Sequence, residues 1–520
     1  MEAIRKPLRL IFMAVEGTFD RIFGEAWNPF YCLGALGYFY FWIVAGSGIY
    51  IYIFFDTGVP QAYESVEYMT NEQWYLAGVM RSLHRYASDA LVVMMMGHML
   101  RVFAYGRYNG ARWFSWITGV PMIWLVMIAG ITGYWLVWDK LAQYVAIGAT
   151  EWLDWLPIFG EPVARNFLSP SHLDGRFFTL MVFLHIAVPL ILLFVMWFHL
   201  QRVGHAKINP ARGLAIGTGL MMVILSLVWP ATSQGIANLS EIASPVSPDW
   251  FYLAWFPLMD AISAGPMWGI AVFGTIVLFL VPWLPPAKKQ PAALVDLDNC
   301  NGCNRCVIDC PFSAISLMPR SDDAPFTHEA RVDDDLCVSC GICVGSCPTA
   351  TPFRRTGALV PGIDLPGLSL ADLRARTDAA GAILSGPGRV LVFGCEHGLR
   401  SEKFTDGRTA AVILPCTGML PPAFIDYVIS RGLADGVAVT GCRPGECHYR
   451  QGQRWLSERI AGERDPRLRR RVPRERVAEI WAAPIEGNRF ERELEAFRAE
   501  LPAAGGGTPP LPDKVTEAAD

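Results

Sequence analysis

Two pairs of histidines inside long apolar runs constrain this chain more than any other feature: His84 with His98, and His185 with His199. On a helix of about 3.6 residues per turn, the fourteen positions that separate each pair fall about 40° short of four turns. Both rings of a pair therefore share one face, ~21 Å apart along the axis, which fits inside about 30 Å of hydrocarbon. With one spanning helix between them the two histidine helices run the same way, so His84 comes level with His185 and His98 with His199. One histidine in an apolar helix is readily a satisfied core residue, whereas four in matched register point to function.

Two stacked bis-histidine sites suit two b-type haems. Gly34 with Gly48, and Gly119 with Gly133, repeat the fourteen-residue interval on the first and third apolar segments. A flat macrocycle needs a gap in the helix wall, which glycine leaves; small-residue packing between membrane helices is the alternative.

Arg81-x-x-His84, His98-x-x-Arg101, Thr132-Gly133-Tyr134 and the run holding His185, Pro189, His199 and Asn209-Pro210 resemble the cytochrome b subunit of the cytochrome bc complexes, over residues 28–284. Pro248-Asp249-Trp250-Phe251 is similar to that family's Pro-Glu-Trp-Tyr motif at its quinol site. The resemblance implies an all-α transmembrane bundle in which His84 and His185 ligate the outer haem, and His98 and His199 the cytoplasmic one. It implies propionate contacts from Arg81 and Arg101, for which solvated helix ends are the alternative. It implies a quinone site at Asp249, Trp250 and Tyr252, with Asp249 as general base; a helix N-cap after Pro248 is the alternative for Asp249. It also implies a homodimer. The family's inner quinone site is eroded: His205 stands one residue late, and 211–219 holds no carboxylate.

At 520 residues and 52% hydrophobic, the chain is too long for one domain and too apolar for an ordinary soluble enzyme. Residues 1–27 carry no secretory signal pattern. Leu8, Ile11, Phe12, Val15, Phe19, Ile22 and Phe23 recur at helical spacing, which predicts an amphipathic helix on the membrane surface, or else a buried soluble one. About six spanning helices follow, at 29–55, 76–104, 114–137, 176–203, 213–231 and 266–284. Arg101, Arg107, Arg112, Arg202, Lys207, Arg212, Lys288 and Lys289 lie on one side, and Asp56, Glu64, Glu67 and Glu72 on the other. The positive-inside rule then puts both termini in the cytoplasm of a prokaryotic inner membrane. Cys32 is expected to be a small core residue.

After a linker at 285–293 the composition turns soluble. Cys300, Cys303, Cys306 and Cys310-Pro311 form C-x2-C-x2-C-x3-C-P, and Cys337, Cys340, Cys343 and Cys347-Pro348 repeat it. Disulfides and zinc are the alternatives for such thiols. The pattern resembles a bacterial ferredoxin with two [4Fe-4S] clusters, an α+β domain over 294–356, in which the fourth cysteine of each run serves the other cluster. The resemblance implies one cluster on Cys300, Cys303, Cys306 and Cys347, and another on Cys337, Cys340, Cys343 and Cys310.

Beyond residue 385, short β-rich runs at 390–393, 410–414 and 436–440, with a helical stretch at 422–432, predict a small α/β domain with a parallel sheet. Each run ends at a cysteine, Cys395, Cys416 or Cys442, with Cys447 close behind. Ligands at the carboxyl ends of parallel strands converge on one sheet edge, so four thiolates there could hold a further cluster; buried free cysteines are the alternative. Leu414-Pro415-Cys416-Thr417-Gly418 and the stretch from Gly441 to Tyr449 resemble the delta subunit of methyl-viologen-reducing hydrogenase, over about 385–456. That implies one [2Fe-2S] cluster and a flavin-bearing or iron-sulfur redox subunit docking near Cys442 and Tyr449. His397 and His448 are placed at the surface or behind the ligands. The segment 457–502 is read as a basic helical extension, with Arg467, Arg469, Arg470, Arg471, Arg474 and Arg476 on a solvated face or a docking patch; 503–520 is read as disordered.

The parts join as an electron path between a cytoplasmic partner and membrane quinone, with lipid but no nucleic acid as a further partner. A non-catalytic anchor relaying electrons for a partner hydrogenase, formate dehydrogenase or heterodisulfide-reductase-like enzyme is the alternative. Electrons sent outward would dissipate membrane potential at ~2.3 kcal/mol per charge per 100 mV, and inward transfer would store it; both directions stay open.

Overall fold

The structure, a computed structural model, describes residues 1–59, 61–158, 160–168, 173–201, 208–249, 252–284, 290–322, 324–354, 358–484 and 486–501. Trp250, Phe251, Arg202, His205, Lys207, Lys288, Lys289 and the tail at 503–520 lie outside the described residues. The chain forms two compact units, Met1–Arg202 with Ala206–Ala287, and Lys288–Asp520.

The first unit is helical. Its elements are α1 (Glu2–Phe23), α2 (Leu33–Phe54), α3 (Gln61–Asn71), α4 (Val79–Ala104), α5 (Trp113–Val137), α6 (Lys140–Asp154), α7 (Arg165–Leu168), α8 (Gly175–Leu200), α9 (Arg212–Val228), α10 (Trp255–Ile262) and α11 (Ala264–Leu280). Among the described residues, five apolar helical stretches are long enough to cross a membrane: Pro29–Phe54, Trp74–Ala104, Trp113–Val137, Gly175–Leu200 and Ala264–Trp283. The other expected span, α9, is apolar but has only 17 residues. Asp174 caps α8 by accepting from the Phe177 amide at 2.9 Å. α2 lies along α4, and α5 along α8, so each histidine helix is paired with a glycine helix. The amphipathic α1 buries Glu16 completely, and its carboxylate accepts from Arg101 Nε and Tyr105 Oη, each at 2.7 Å.

The second unit begins with β1 (Leu294–Val295), α12 (Arg305–Asp309), β2 (Ile315–Pro319), β3 (His328–Val332), α13 (Ile342–Ser346) and β4 (Ile363–Asp364). β1 pairs antiparallel with β4, and β2 with β3. α14 (Leu370–Ala382) follows, opened by a capping box between Ser369 and Asp372. Then come β5 (Val390–Cys395), β6 (Thr409–Leu414), α15 (Ala423–Ser430), β7 (Gly436–Val439), α16 (Gly452–Ala461), β8 (Val477–Glu479) and α17 (Gly487–Glu500). The last four strands are parallel in the order β6-β5-β7-β8. β5 and β7 are buried along their whole length, as unbroken apolar strands covered on both faces must be.

The segment at 457–502 supplies β8 to this sheet and α17 to its cover, where Phe490 and Leu494 pack with Val390, Val392 and Ala438. Its basic run is not a solvated helix face: Arg469 and Arg471 pair with the buried Asp426 carboxylate at 3.1 and 2.7 Å. Two guanidiniums meet there what would otherwise be an uncompensated charge.

Candidate redox sites

His84 and His185 face each other with ring centroids 6.1 Å apart and planes at 70°. Imidazole bonds to a first-row metal run about 2 Å, so one iron between facing nitrogens requires about this spacing. His84 Nδ1 lies 2.9 Å from the Val44 carbonyl, and His185 Nδ1 2.9 Å from that of Ala129. A carbonyl only accepts, so Nδ1 carries the proton in both rings and Nε2 is left as the metal-binding nitrogen. His199 Nδ1 meets Thr118 Oγ1 at 3.0 Å, and His98 lies within electrostatic range of His199.

The four glycines face these imidazoles one for one. A Cβ would lie 2.8 Å from His185 Cε1 at Gly133, 2.9 Å from His84 Cε1 at Gly48, 3.3 Å from His98 Cε1 at Gly34 and 3.5 Å from His199 Cε1 at Gly119. The gap expected for a macrocycle is thus also the seat of the ligand ring. The donor set and its fixed tautomers fit haem.

Arg81 reaches Ser233 Oγ at 2.8 Å, Thr70 and the Glu67 carboxylate at 3.5 Å, and Arg101 is held by Glu16. Protein carboxylates, rather than helix-end solvent, surround both arginines expected at propionates. Asp249 accepts from Arg85 and from the Tyr134 hydroxyl, and Arg85 also pairs with Asp89 one turn along α4. Tyr252 joins this group through its ring, 5.9 Å from that of Tyr134, while its hydroxyl donates to the Val126 carbonyl at 2.8 Å. Arg85 and Asp89 were not singled out from sequence; an acid and a base at i and i+4 inside an apolar helix were the available signal.

In the second unit one cavity is lined by Cys300, Cys303, Cys306 and Cys347, and another by Cys310, Cys337, Cys340 and Cys343. These are the crossed sets, each holding the last cysteine of the other run. Burial pushes the Cys306 thiol up to about 12, with Cys303, Cys347 and Cys300 adding to the shift. Burial likewise raises Cys343, beside Cys340, Cys306, Cys310 and Cys337. Such thiols stay protonated without metal, so loading iron must release protons. The Ala314 amide donates to Cys310 Sγ at 3.3 Å, a bond that tunes a cluster's potential.

Cys395 ends β5, and Cys416 and Cys442 follow β6 and β7, so parallel strands carry three thiols to one sheet edge. They meet Cys447 in one buried group. Cys447 lies within hydrogen-bonding reach of Cys416 and Cys442, and Cys442 of Cys395. Four thiols converging at a sheet edge fit a small iron-sulfur cluster. His397 and His448 stack with centroids 3.7 Å apart, beside the Tyr449 ring.

Fold and ligand sets together define a membrane electron-transfer protein that uses haem b and iron-sulfur clusters. Comparison with known proteins agrees along the chain: residues 19–206 match the family cytochrome b/b6/petB, 299–351 the 4Fe-4S dicluster domain, and 401–505 the methyl-viologen-reducing hydrogenase delta subunit. Cytochrome b of Rhodospirillum rubrum is 24% identical over 297 residues, covering 51% of this chain and 72% of that protein. Cytochrome b6 of Porphyra purpurea is 32% identical over 138 residues, covering 26% of this chain and 64% of that protein. A solved structure titled hyperthermophilic respiratory Complex III covers 49% of this chain and 75% of its own, at 19% identity and a TM-score of 0.39.

Proposed function

We propose that this chain is the membrane subunit of a quinone-linked oxidoreductase, moving electrons between a cytoplasmic redox partner and the quinone pool of a prokaryotic inner membrane. In this reading His84 with His185 and His98 with His199 hold two b haems, and Arg81 and Arg101 stand at their propionate edges. The eight ferredoxin cysteines hold two [4Fe-4S] clusters, and Cys395, Cys416, Cys442 and Cys447 one [2Fe-2S] cluster. Bound there, these groups supply one-electron carriers. The protein's own residues orient and move protons: the Val44 and Ala129 carbonyls fix the imidazoles, Asp249 takes a proton from quinol, Arg85 pairs with that carboxylate, and Tyr134 presents a hydroxyl beside it. Tyr252, whose ring stands beside that of Tyr134, is a further residue of the quinone site, as is Trp250 by the resemblance. The exposed Pro444-Gly445 turn, between buried Cys442 and Cys447, is where a flavin or iron-sulfur subunit docks.

The observation that carries this reading is the bond from Arg85 to Asp249, because Arg85 is the neighbour of His84. Quinol oxidation needs an electron acceptor and a proton acceptor together, and here an iron ligand and a carboxylate are tied by adjacent residues. The same ion pair supports a second reading, in which it only braces the bundle and the chain is an anchor relaying electrons for a partner enzyme. Quinol added to membranes under redox titration separates the two. Haem reduction by quinol, slowed a hundredfold or so by Asp249→Asn as loss of a general base implies, supports the quinone site. Haems that respond only to reductant entering through the clusters, with Asp249→Asn silent, leave the anchor.

A further inference from the structure

We propose that the fold sets the order of the three iron-sulfur sites: the site of Cys395, Cys416, Cys442 and Cys447 faces the Cys337, Cys340, Cys343 and Cys310 site through Cys340. The Cys300, Cys303, Cys306 and Cys347 site is then the far end of the row, and the Asp309–Arg459 pair is the positioning device at the junction. This rests on the iron-sulfur part of the proposed function and not on its quinone chemistry.

Cys340 belongs to the same buried group as all four cysteines of the sheet edge, together with Ile342 and Trp455. None of Cys300, Cys303, Cys306 and Cys347 belongs to that group, and Cys303 is exposed. One ferredoxin site thus shares a buried group with the sheet-edge cysteines, through Cys340, and the other does not.

The junction is as tight as backbone allows. A Cβ at Gly345 in α13 would lie 2.1 Å from the Gly418 carbonyl oxygen, and one at Gly452 would lie 2.0 Å from Cys416 Sγ. Only glycine permits these approaches. Across the same contact runs a buried knot. Arg459 is 0% exposed and Asp309 2%. Arg459 Nη2 donates to Asp309 Oδ2 at 2.6 Å and to Ser346 Oγ at 2.9 Å, while its Nη1 donates to the Gly418 carbonyl at 2.9 Å. Arg464 Nη1 takes the other carboxylate oxygen at 2.7 Å, and Trp455 Nε1 donates to the Asp309 carbonyl at 3.2 Å. Asp309 precedes Cys310, Ser346 precedes Cys347, and Gly418 follows Cys416 by two residues. One guanidinium therefore holds a residue close in sequence to a cysteine of each of the three sites, two by their side chains and one by its backbone carbonyl, at the cost of desolvating a charge that hydrophobic packing would spare. The demand it answers is fixed spacing, on which electron transfer depends steeply. One electron crosses the junction with no bond made or broken, one site being oxidised as the other is reduced; the flavin or iron-sulfur partner supplies it in the cell and dithionite in the test.

The test is the spin relaxation of the Cys395/Cys416/Cys442/Cys447 site in the full, cluster-loaded chain reduced with dithionite, followed by pulsed EPR with iron content measured alongside. Cys340→Ala removes the relaxation enhancement of that signal, whereas Cys303→Ala leaves it unchanged. Arg459→Met weakens the enhancement at full iron content, and Arg459→Lys recovers part of it. The reverse cysteine pattern, or equal effects of the two, overturns the order; an Arg459→Met protein with full iron and native relaxation overturns the positioning role. If Arg459→Met does not fold, the cysteine pair still decides the order, and Ser346→Ala, which removes the hydroxyl's bonds to Arg459 and Asp309, decides the positioning role by the same readout. A native protein with no third iron-sulfur signal defeats the cluster reading itself, which is a distinct outcome.

Discussion

The four glycines that face the histidines predict a graded response to a single methyl group. At Gly133 and Gly48 an alanine Cβ would stand 2.8 and 2.9 Å from the Cε1 of His185 and His84, and at Gly34 and Gly119 it would stand 3.3 and 3.5 Å from His98 and His199. Ordinary carbon contacts lie at about 3.5–4.0 Å, so the first two rings must move by more than half an ångström and the last hardly at all. They are not free to do so, because each Nδ1 is tied to a carbonyl of the glycine's own helix and the opposite nitrogen must reach iron. Overpacking of this kind costs about 1–3 kcal/mol, and at tenfold per 1.4 kcal/mol the middle of that range weakens haem binding by roughly thirtyfold. Gly133→Ala and Gly48→Ala should therefore lose or shift the haem held by His84 and His185 while keeping the other. Gly119→Ala should keep both, with Gly34→Ala between. Haem content by pyridine haemochrome, with the two midpoint potentials resolved by redox titration, reads this directly. Equal losses at all four positions, or the larger loss at Gly119, would refute the argument that these glycines seat imidazoles.

Arg85→Met leaves Asp89 and Asp249 without their shared cation, so quinol-dependent haem reduction should fall at least about tenfold, or 1.4 kcal/mol, with haem content unchanged and partial rescue by Arg85→Lys; equal rates in stopped-flow reduction would exclude a role for the pair. In the second unit, burial pushes Asp435 up but the hydrogen bonds from Arg389 outweigh it and hold the carboxyl below its usual range. That stabilisation is present above an unfolded carboxyl value of about 3.9 and is lost as pH falls through the lower folded value. Asp435→Asn should then cost about 1 kcal/mol or less at neutral pH, since the pair is part-exposed, and the gap from the native protein should close below pH 4 in thermal unfolding of the full chain. A gap that does not narrow as the pH falls below 4 would show the loss to be packing and not charge.

How much of this was legible in the sequence depends on how far apart the interacting residues lie. Helical period converts fourteen residues into facing rings without further knowledge, so the level pairing of His84 with His185 followed from one assumption about helix direction. The cysteines were equally open, because ligand spacing is local and three of them end or closely follow strands. α6 was legible but passed over: Asp139 accepts from the Ala142 amide at 2.8 Å, and Leu141, Val145 and Gly148 bury one face. β8 was not legible, since three residues beside a basic run carry too little pattern. Arg85 with Asp249, Arg101 with Glu16 and Arg459 with Asp309 were invisible for another reason. A pair separated by many tens of residues leaves no periodic trace, so even where one member stood out, as Asp249 and Arg101 did, its partner could not be read.

Those distant pairs share a logic that the ligands alone do not reveal. Each joins a residue within one helical turn of a proposed iron ligand, whether His84, His98 or Cys310, to a carboxylate or guanidinium distant in the chain, and two of the three include a side chain with no solvent exposure, Glu16 and Arg459. Buried ion pairs are poor stabilisers, because desolvation offsets most of their attraction, but removing one partner is severely destabilising. They therefore narrow the set of tolerated geometries more than they deepen the native state. A chain that only needed to bind its cofactors could rely on apolar packing at these points. A chain that must hold several of them at constant separation gains from contacts that are good in one arrangement and costly in every other.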